Sequence, residues 1–404
     1  MKKVDVIAYA STSHERGELS SLKKDLIRRI RAAAVVDVAE ASVPSTERMT
    51  AILVLTGGVE RQVLKGIAEL PSPVLLIAHP GRNSLPASLE ILARIHQDGG
   101  EGRILFGSPE TIASGLREEV AISEAWNALR FSRVGLIGEP SDWLVASDVD
   151  RAFLKGRLSV ELVEIELREL LERIDVAKVG KRALADVSRR AASVVEPDGD
   201  ALRGAAAIYG GLRELVDEHR LAACTVRCFD LVERLENTGC YALSRLNDEG
   251  VPAACEGDLQ TLFTLYVGLL LTGETAFMGN IASVDSEEQV VGIAHCTCPV
   301  SMVATYTLRS HFESGVGVGI AGSIPSGPCT FFRLGGDRLD HLFVREGETE
   351  ERPFRNDLCR TQVHVRCDDP VDALLTAPLG NHHVLLAGRH RASIERFFER
   401  YLAS

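Results

Sequence analysis

The chain has 404 residues, 45% of them hydrophobic and 25% charged, which suits a globular protein with material for two or three domains. A formal net charge of -12 argues against a nucleic-acid or anionic-membrane surface as the main partner. The opening Met1-Lys2-Lys3 runs straight into a strand pattern, so no signal peptide is expected, and the apolar run over residues 262–271 is too short to span a bilayer.

Residues 1–131 read as a first α/β domain. Strand patterns start at Val4, Val35, Ala51, Val74 and Arg103. Helical periods cover residues 19–34, 59–69 and 86–96, and a further one runs to about 129. Short apolar strands alternating with helices predict a doubly wound parallel sheet. The turn Thr56-Gly57-Gly58 after a strand can receive a ligand at the carboxyl edge of such a sheet, but it lacks the dinucleotide spacing of glycines.

A second α/β domain is expected over residues 132–274. It opens with Ser132-Arg-Val-Gly-Leu-Ile-Gly-Glu-Pro-Ser-Asp-Trp143, a strand entering a Gly/Pro turn. Further strands are expected at 158–165 and 221–229, and helices at 167–173, 183–194 and 201–218. From 275 to 404 the texture changes to short strands and turns, which predicts a β-rich, antiparallel barrel-like domain. Its predicted strands are 290–295, 301–308, 329–334, 341–345, 362–367 and 383–386, and a helix over 392–402 closes the chain. The fold class is therefore α/β: two doubly wound domains and then a β-rich one.

The nine cysteines, Cys224, Cys228, Cys240, Cys255, Cys296, Cys298, Cys329, Cys359 and Cys367, are odd in number and scattered in apolar surroundings. That fits buried thiols in a reducing cytoplasm better than a disulfide framework. On a strand, Cys296-Thr-Cys298 would point both thiols one way. No second pair stands at zinc spacing, so a thiolate metal site is not expected.

Three stretches carry possible chemistry. Cys255-Glu-Gly-Asp258 puts two carboxylates at the start of an apolar helix, where its dipole favours anions. Glu256 is expected to face a site, with Asp258 capping the helix or assisting. His295 ends an apolar strand, and Gly380-Asn-His-His383 brings two imidazoles, of which strand alternation allows one as a ligand. A carboxylate with imidazoles suits Mn²⁺, Fe²⁺, Co²⁺ or Zn²⁺. Arg309-Ser-His-Phe-Glu-Ser-Gly315 reads either as a ligand loop using Arg309, His311 and Glu313 or as a solvated turn.

Taken together, Cys255-Glu-Gly-Asp258, Thr275-Ala-Phe-Met-Gly-Asn280, Ala294-His-Cys-Thr-Cys-Pro299 and Gly380-Asn-His-His383 resemble the L-fucose isomerase and L-arabinose isomerase superfamily. The stretch ending at Trp143 resembles the opening of that family's second domain, and Trp143 is taken as a substrate contact. The resemblance implies an aldose–ketose isomerase working through a cis-enediol with a divalent metal, usually Mn²⁺. It implies Glu256 as ligand and acid/base, His382 or His383 as a further ligand, and His295 as a ligand in the arabinose branch. It also implies a trimer or hexamer in which a neighbour helps to close the site.

One departure stands out. Asn280 occupies the place of the second carboxylate, and an amide accepts no proton at neutral pH. Three outcomes stay open: a metal held by Glu256, Asn280 and His383; a second acid/base moved to Asp258 or His295; or a different reaction, such as epimerisation or a metal-independent isomerisation. A non-catalytic sugar-binding protein on the same scaffold is the remaining alternative. A sulfonated, phosphorylated or carboxylated sugar would need a cation, for which Arg309 and Arg333 are the candidates.

Overall fold

The computed structural model describes residues 3–12, 15–33, 37–43, 48–68, 70 and 72–403. The chain divides into two compact units, Met1–Ser123 and Glu124–Ser404. Among the described residues no helix is long and apolar enough to cross a membrane.

In the first unit, strands β1 (Lys3–Tyr9), β2 (Asp37–Glu40), β3 (Met49–Val54), β4 (Val74–Ala78) and β5 (Gly102–Phe106) form one parallel sheet. Their order is β2-β1-β3-β4-β5. Val6, Ala51, Leu53 and Leu75 pack on one face, and Ile7, Ile52, Val54 and Leu76 on the other. Burial on both faces is why these strands read as unbroken apolar runs. The order reverses between β1 and β3, which opens a crevice at their carboxyl ends. There Thr56 Oγ1 accepts a hydrogen bond from the Ser11 backbone N–H at 2.8 Å. The first two residues of the strand expected from Val35, and Glu69 of the second expected helix, lie outside the described residues.

The second unit starts with another parallel sheet. Strands β6 (Arg133–Ile137), β7 (Glu161–Ile165), β9 (Ala223–Val226) and β10 (Ala253–Cys255) lie in the order β10-β9-β6-β7. The intervening β8 (Ser193–Val194) leaves this sheet and pairs with Thr307 and Leu308 instead. The helix expected over 183–194 accordingly ends early, as Lys181–Ser188. Val194 and Val195 are β-branched and Pro197 follows, so edge pairing wins over helix continuation.

The remaining strands are β11 (Phe277–Asp285), β12 (Val290–His295), β13 (Thr305–Arg309), β14 (Gly319–Ser323), β15 (Gly327–Gly335), β16 (His341–Glu350), β17 (Thr361–Cys367) and β18 (His382–Ala387). Six of them close into an antiparallel barrel in the order β11-β12-β17-β16-β15-β18. Closure removes exposed strand edges, and Phe277, Val291, Ile293, Phe331, Val365 and Leu385 share its core. The long β11 had no counterpart among the expected strands, because Gly279, Asn280 and Ser283 break its apolar alternation. Its register pairs Asn280 with His382 and Gly279 with His383.

β12 stops at His295, as expected, so Cys296 and Cys298 lie beyond it, and Cys298 packs into the core cluster.

Candidate functional site

The parallel sheet of the second unit delivers its residues at carboxyl ends, where open α/β sheets place ligands. β10 ends at Cys255, so Glu256 is the first residue beyond it. β9 leads to Cys228 and Phe229, and β6 to the turn that carries Trp143.

The backbone at Glu256 is held from two sides. Ser141 N–H donates to Glu256 O at 2.8 Å, and Gly257 N–H donates to Val226 O at 3.0 Å. Glu256 itself adopts φ +65, a left-handed conformation that costs a non-glycine residue on the order of 1–3 kcal/mol. Gly257 follows at φ +71, where a Cβ would lie 2.7 Å from both Glu139 O and Pro140 Cα. The glycine between the two acids is thus a packing requirement, and the clamp aims the Glu256 side chain. Its carboxylate receives the Trp143 indole N–H at 2.6 Å on Oε2. Its Oε1 lies 3.7 Å from His382 Nε2.

Asp258 has a different position. It is fully buried, caps the Leu259–Thr272 helix through Thr261 N–H at 2.7 Å, and takes the Thr261 hydroxyl at 2.8 Å. Its Oδ2 lies 2.9 Å from His382 Nδ1. Burial would raise the Asp258 carboxyl, but the His382 hydrogen bond and the Arg333 charge outweigh it and hold it below the usual range. An ionised Asp258 can only accept, so His382 Nδ1 donates to it and the direction of the ring is fixed. His382 Nε2 is buried with no hydrogen-bond partner.

His295 stands beside His382, with ring centroids 5.4 Å apart. Its Nδ1 lies 3.0 Å from Thr297 Oγ1. Burial, and then the neighbouring His382, push the His295 imidazole down to about 3, so it is neutral. Ligand-capable atoms of Glu256, His295 and His382 all lie within 4.8 Å of one another. One carboxylate and two imidazoles, one of them with a buried nitrogen that has no hydrogen-bond partner and a ring oriented by a carboxylate, fit a divalent transition metal.

Glu256 and His295 line a cavity of about 410 Å³, together with Trp143, Phe229, Asn280, His311, Glu313 and Asn381. Phe229 packs edge-on against both Trp143 and His311. Asn280 accepts from Asn381 Nδ2 at 3.0 Å.

Arg309, Arg333 and His383 lie away from the cavity and from the Glu256–His295–His382 group. Arg309 is committed to Glu196, in a pair with 25% and 34% side-chain exposure. Arg333 is fully buried and spends its guanidinium on Thr261, Ser147, Gln260, Leu379 O and His382 O. His383, next to His382 on the same strand, turns the other way, and its ring lies 5.2 Å from that of Phe343 and 6.1 Å from that of Phe331. Asp258 remains beneath the site as the orienting partner of His382, with its acceptor positions taken, rather than as a free acid or base.

The chain is similar to two proteins named sulfoquinovose isomerase. One, from Alkalicoccus urumqiensis, is 22% identical over 281 residues, which are 67% of this chain and 63% of that protein. The other, from Clostridium sp. (strain MSTE9), is 25% identical over 282 residues, which are 65% of this chain and 61% of that protein. The matched part thus spans about three fifths of the length of these curated relatives. No family model matches the chain.

Two features of the site were out of reach of sequence reasoning. The Trp143–Glu256 hydrogen bond joins residues 113 positions apart. The thiols of Cys228, Cys240, Cys255, Cys296 and Cys359 converge on one cavity from separate segments. Trp143→Phe keeps the aromatic contact with Phe229 and deletes the indole donor. Its expected result is a fall of roughly tenfold in kcat/KM with little change in melting temperature, since a hydrogen bond to a charged group contributes about 1.5–3 kcal/mol. Steady-state kinetics and a thermal melt check it.

Proposed function

We propose that this chain is an aldose–ketose isomerase acting on a sugar; its relatives are named as isomerases. The observation that carries the reading is the Glu256–His295–His382 group beside a cavity that also holds a second carboxylate, Glu313. A divalent cation bound by those three residues, Mn²⁺ by the resemblance, would supply Lewis-acid polarisation of the sugar's carbonyl and hydroxyl oxygens. Asp258 fixes the direction of His382. Trp143 holds the Glu256 carboxylate in one orientation.

The reaction moves a proton between C1 and C2 through a cis-enediol, so it needs one group to remove a proton and one to return it. Glu256 takes one of these roles. Asn280 cannot take the other, since it is an amide whose oxygen already accepts from Asn381. Glu313, on a separate loop that lines the same cavity, fills the vacancy. Asn280, Asn381 and His311 then orient hydroxyls. Replacing Glu313 with Gln is expected to lower kcat about 100-fold or more while metal content stays at the wild-type level. A kcat within threefold of wild type would remove Glu313 from the mechanism.

The substrate is an aldose, with the sulfonated sugar in the relatives' names as the first to test. Among the described lining residues there is no Lys or Arg, so a sulfonate would have to project beyond them. A homo-oligomer in the cytoplasm remains the proposed working form. The test is a panel of sulfoquinovose and unsubstituted aldoses, incubated with metal-reconstituted protein and followed by ¹³C NMR. Appearance of the matching ketose from one of them supports the reading. An epimer in its place would reassign the reaction, and no change in any sugar would overturn it.

A further inference from the structure

Away from the candidate active site, a cavity of about 200 Å³ is bordered by Arg189, Arg190, Arg245 and Tyr306. The pairing of β8 with β13 builds one wall. Ala192 N–H donates to Tyr306 O at 2.8 Å, so the turn that carries Arg189 and Arg190 is held against the strand that carries Tyr306. Arg245 reaches the cavity from the helix Cys240–Asp248.

Three acids share the wall, and each is already engaged. Asp248 accepts the Val300 and Ser301 backbone N–H groups, each at 3.1 Å, and the Ser301 hydroxyl. Glu249 Oε1 takes the Tyr209 hydroxyl at 2.7 Å and Arg245 Nη2 at 2.9 Å. Asp186 lies 3.4 Å from Arg189. The donors are not matched in the same way. Arg190 forms no hydrogen bond or ion pair with a described residue. Nor does the hydroxyl of Tyr306, although that residue is only 8% exposed. Burial raises the Tyr306 phenol, and the charges that act on it next are those of Arg190, Asp248, Arg245 and Arg189, all from the cavity wall. A buried polar group left without a partner is costly, so such groups are as a rule completed by protein, water or a ligand.

The unmatched donors define what fits. They come from a turn, a helix and a strand, which suits a tetrahedral oxyanion better than a planar carboxylate. A guanidinium matches phosphate oxygens with two parallel N–H bonds, and a phenol adds a third donor. Pockets for drug-sized ligands hold about 300–1,000 Å³, so this smaller space takes one phosphate group rather than a whole sugar. We propose that the cavity is a phosphate-binding site, in which Arg190 and the Tyr306 hydroxyl are the main donors and Arg189 and Arg245 add charge. The phosphate is inorganic or the ester group of a metabolite. The site does not depend on the isomerase reading.

The test is isothermal titration calorimetry of inorganic phosphate into the full chain at fixed ionic strength. Saturable binding at one site per chain is expected, weakening as NaCl is added. Tyr306→Phe deletes only a hydroxyl that bonds nothing in the fold. It should weaken binding roughly tenfold with an unchanged melting temperature, as expected for loss of a hydrogen bond to a charged group. Arg190→Gln, on an exposed turn, should weaken binding at least tenfold. Arg355→Gln, an exposed arginine outside the cavity, should bind as wild type. A hexose phosphate titrated in the same way separates the two sources: tighter binding than inorganic phosphate assigns the cavity to an ester, and weaker binding to the free ion. Absence of saturable binding up to about 10 mM phosphate would overturn the proposal. So would wild-type affinity in either Arg190→Gln or Tyr306→Phe, the result expected if phosphate is drawn instead to a cation at the Glu256 group.

Discussion

Replacing Glu256 with Gln is expected to lower kcat by roughly a thousandfold or more without unfolding the protein. General acid–base groups contribute about 10²- to 10⁴-fold, and Glu256 is also one of three ligand-capable groups. The substitution keeps the shape of the side chain and one oxygen, so Trp143 retains an acceptor and the Ser141–Glu256 backbone clamp is untouched. Near-UV circular dichroism should match wild type, while Mn²⁺ affinity falls. Retention of more than a tenth of wild-type turnover would mean that proton transfer is carried elsewhere in the cavity.

Arg333→Met is expected to give the largest loss of stability. Arg333 lies 3.6 Å from Asp258, and neither side chain is exposed at all. Removing one member of a buried ion pair leaves the other charge uncompensated, at a cost of about 3–5 kcal/mol. Met fills much of the space, so the loss isolates charge and hydrogen bonding from cavity formation. A second effect follows from Gly380, at φ +152, where a Cβ would lie 2.4 Å from the Arg333 guanidinium. The turn before His382 is therefore moulded on Arg333, and its loss frees the segment that aims His382. Calorimetry should show a fall on the order of 10 °C in the transition of the larger unit. Metal affinity should drop alongside, because Asp258 and His382 lose their shared anchor. A melting temperature within about 2 °C of wild type would show that Asp258 tolerates burial without this partner.

Sequence legibility differed sharply between residues. Glu256 could be singled out because a carboxylate and a glycine at the mouth of an apolar helix leave few bland explanations. Asp258 was readable as a cap, and it is one; that its other oxygen steers His382 depends on a contact across 124 residues. The choice between His382 and His383 could not be made from alternation alone. The register of β11 against β18 decides it, by setting His382 opposite Asn280. Arg309 looked available for a substrate anion because its partner, Glu196, sits on a segment 113 residues away. Arg333 looked available because nothing local reveals that it is the largest fully buried side chain among the described residues. The alternation of apolar strands and helices made the parallel sheets legible. The barrel was legible as a change in texture, although its closing strand β11 was masked by polar and glycine positions.

The role of the Glu256–His295–His382 group is tested most directly by metal readmission. The protein is stripped with a chelator, returned to Mn²⁺ in steps, and assayed for ketose formation and bound metal at each step. The account predicts negligible turnover in the stripped protein, recovery in proportion to bound ion up to one Mn²⁺ per chain, and a loss of that binding in His382→Ala. Full turnover after stripping, or unchanged metal content in His382→Ala, would contradict it.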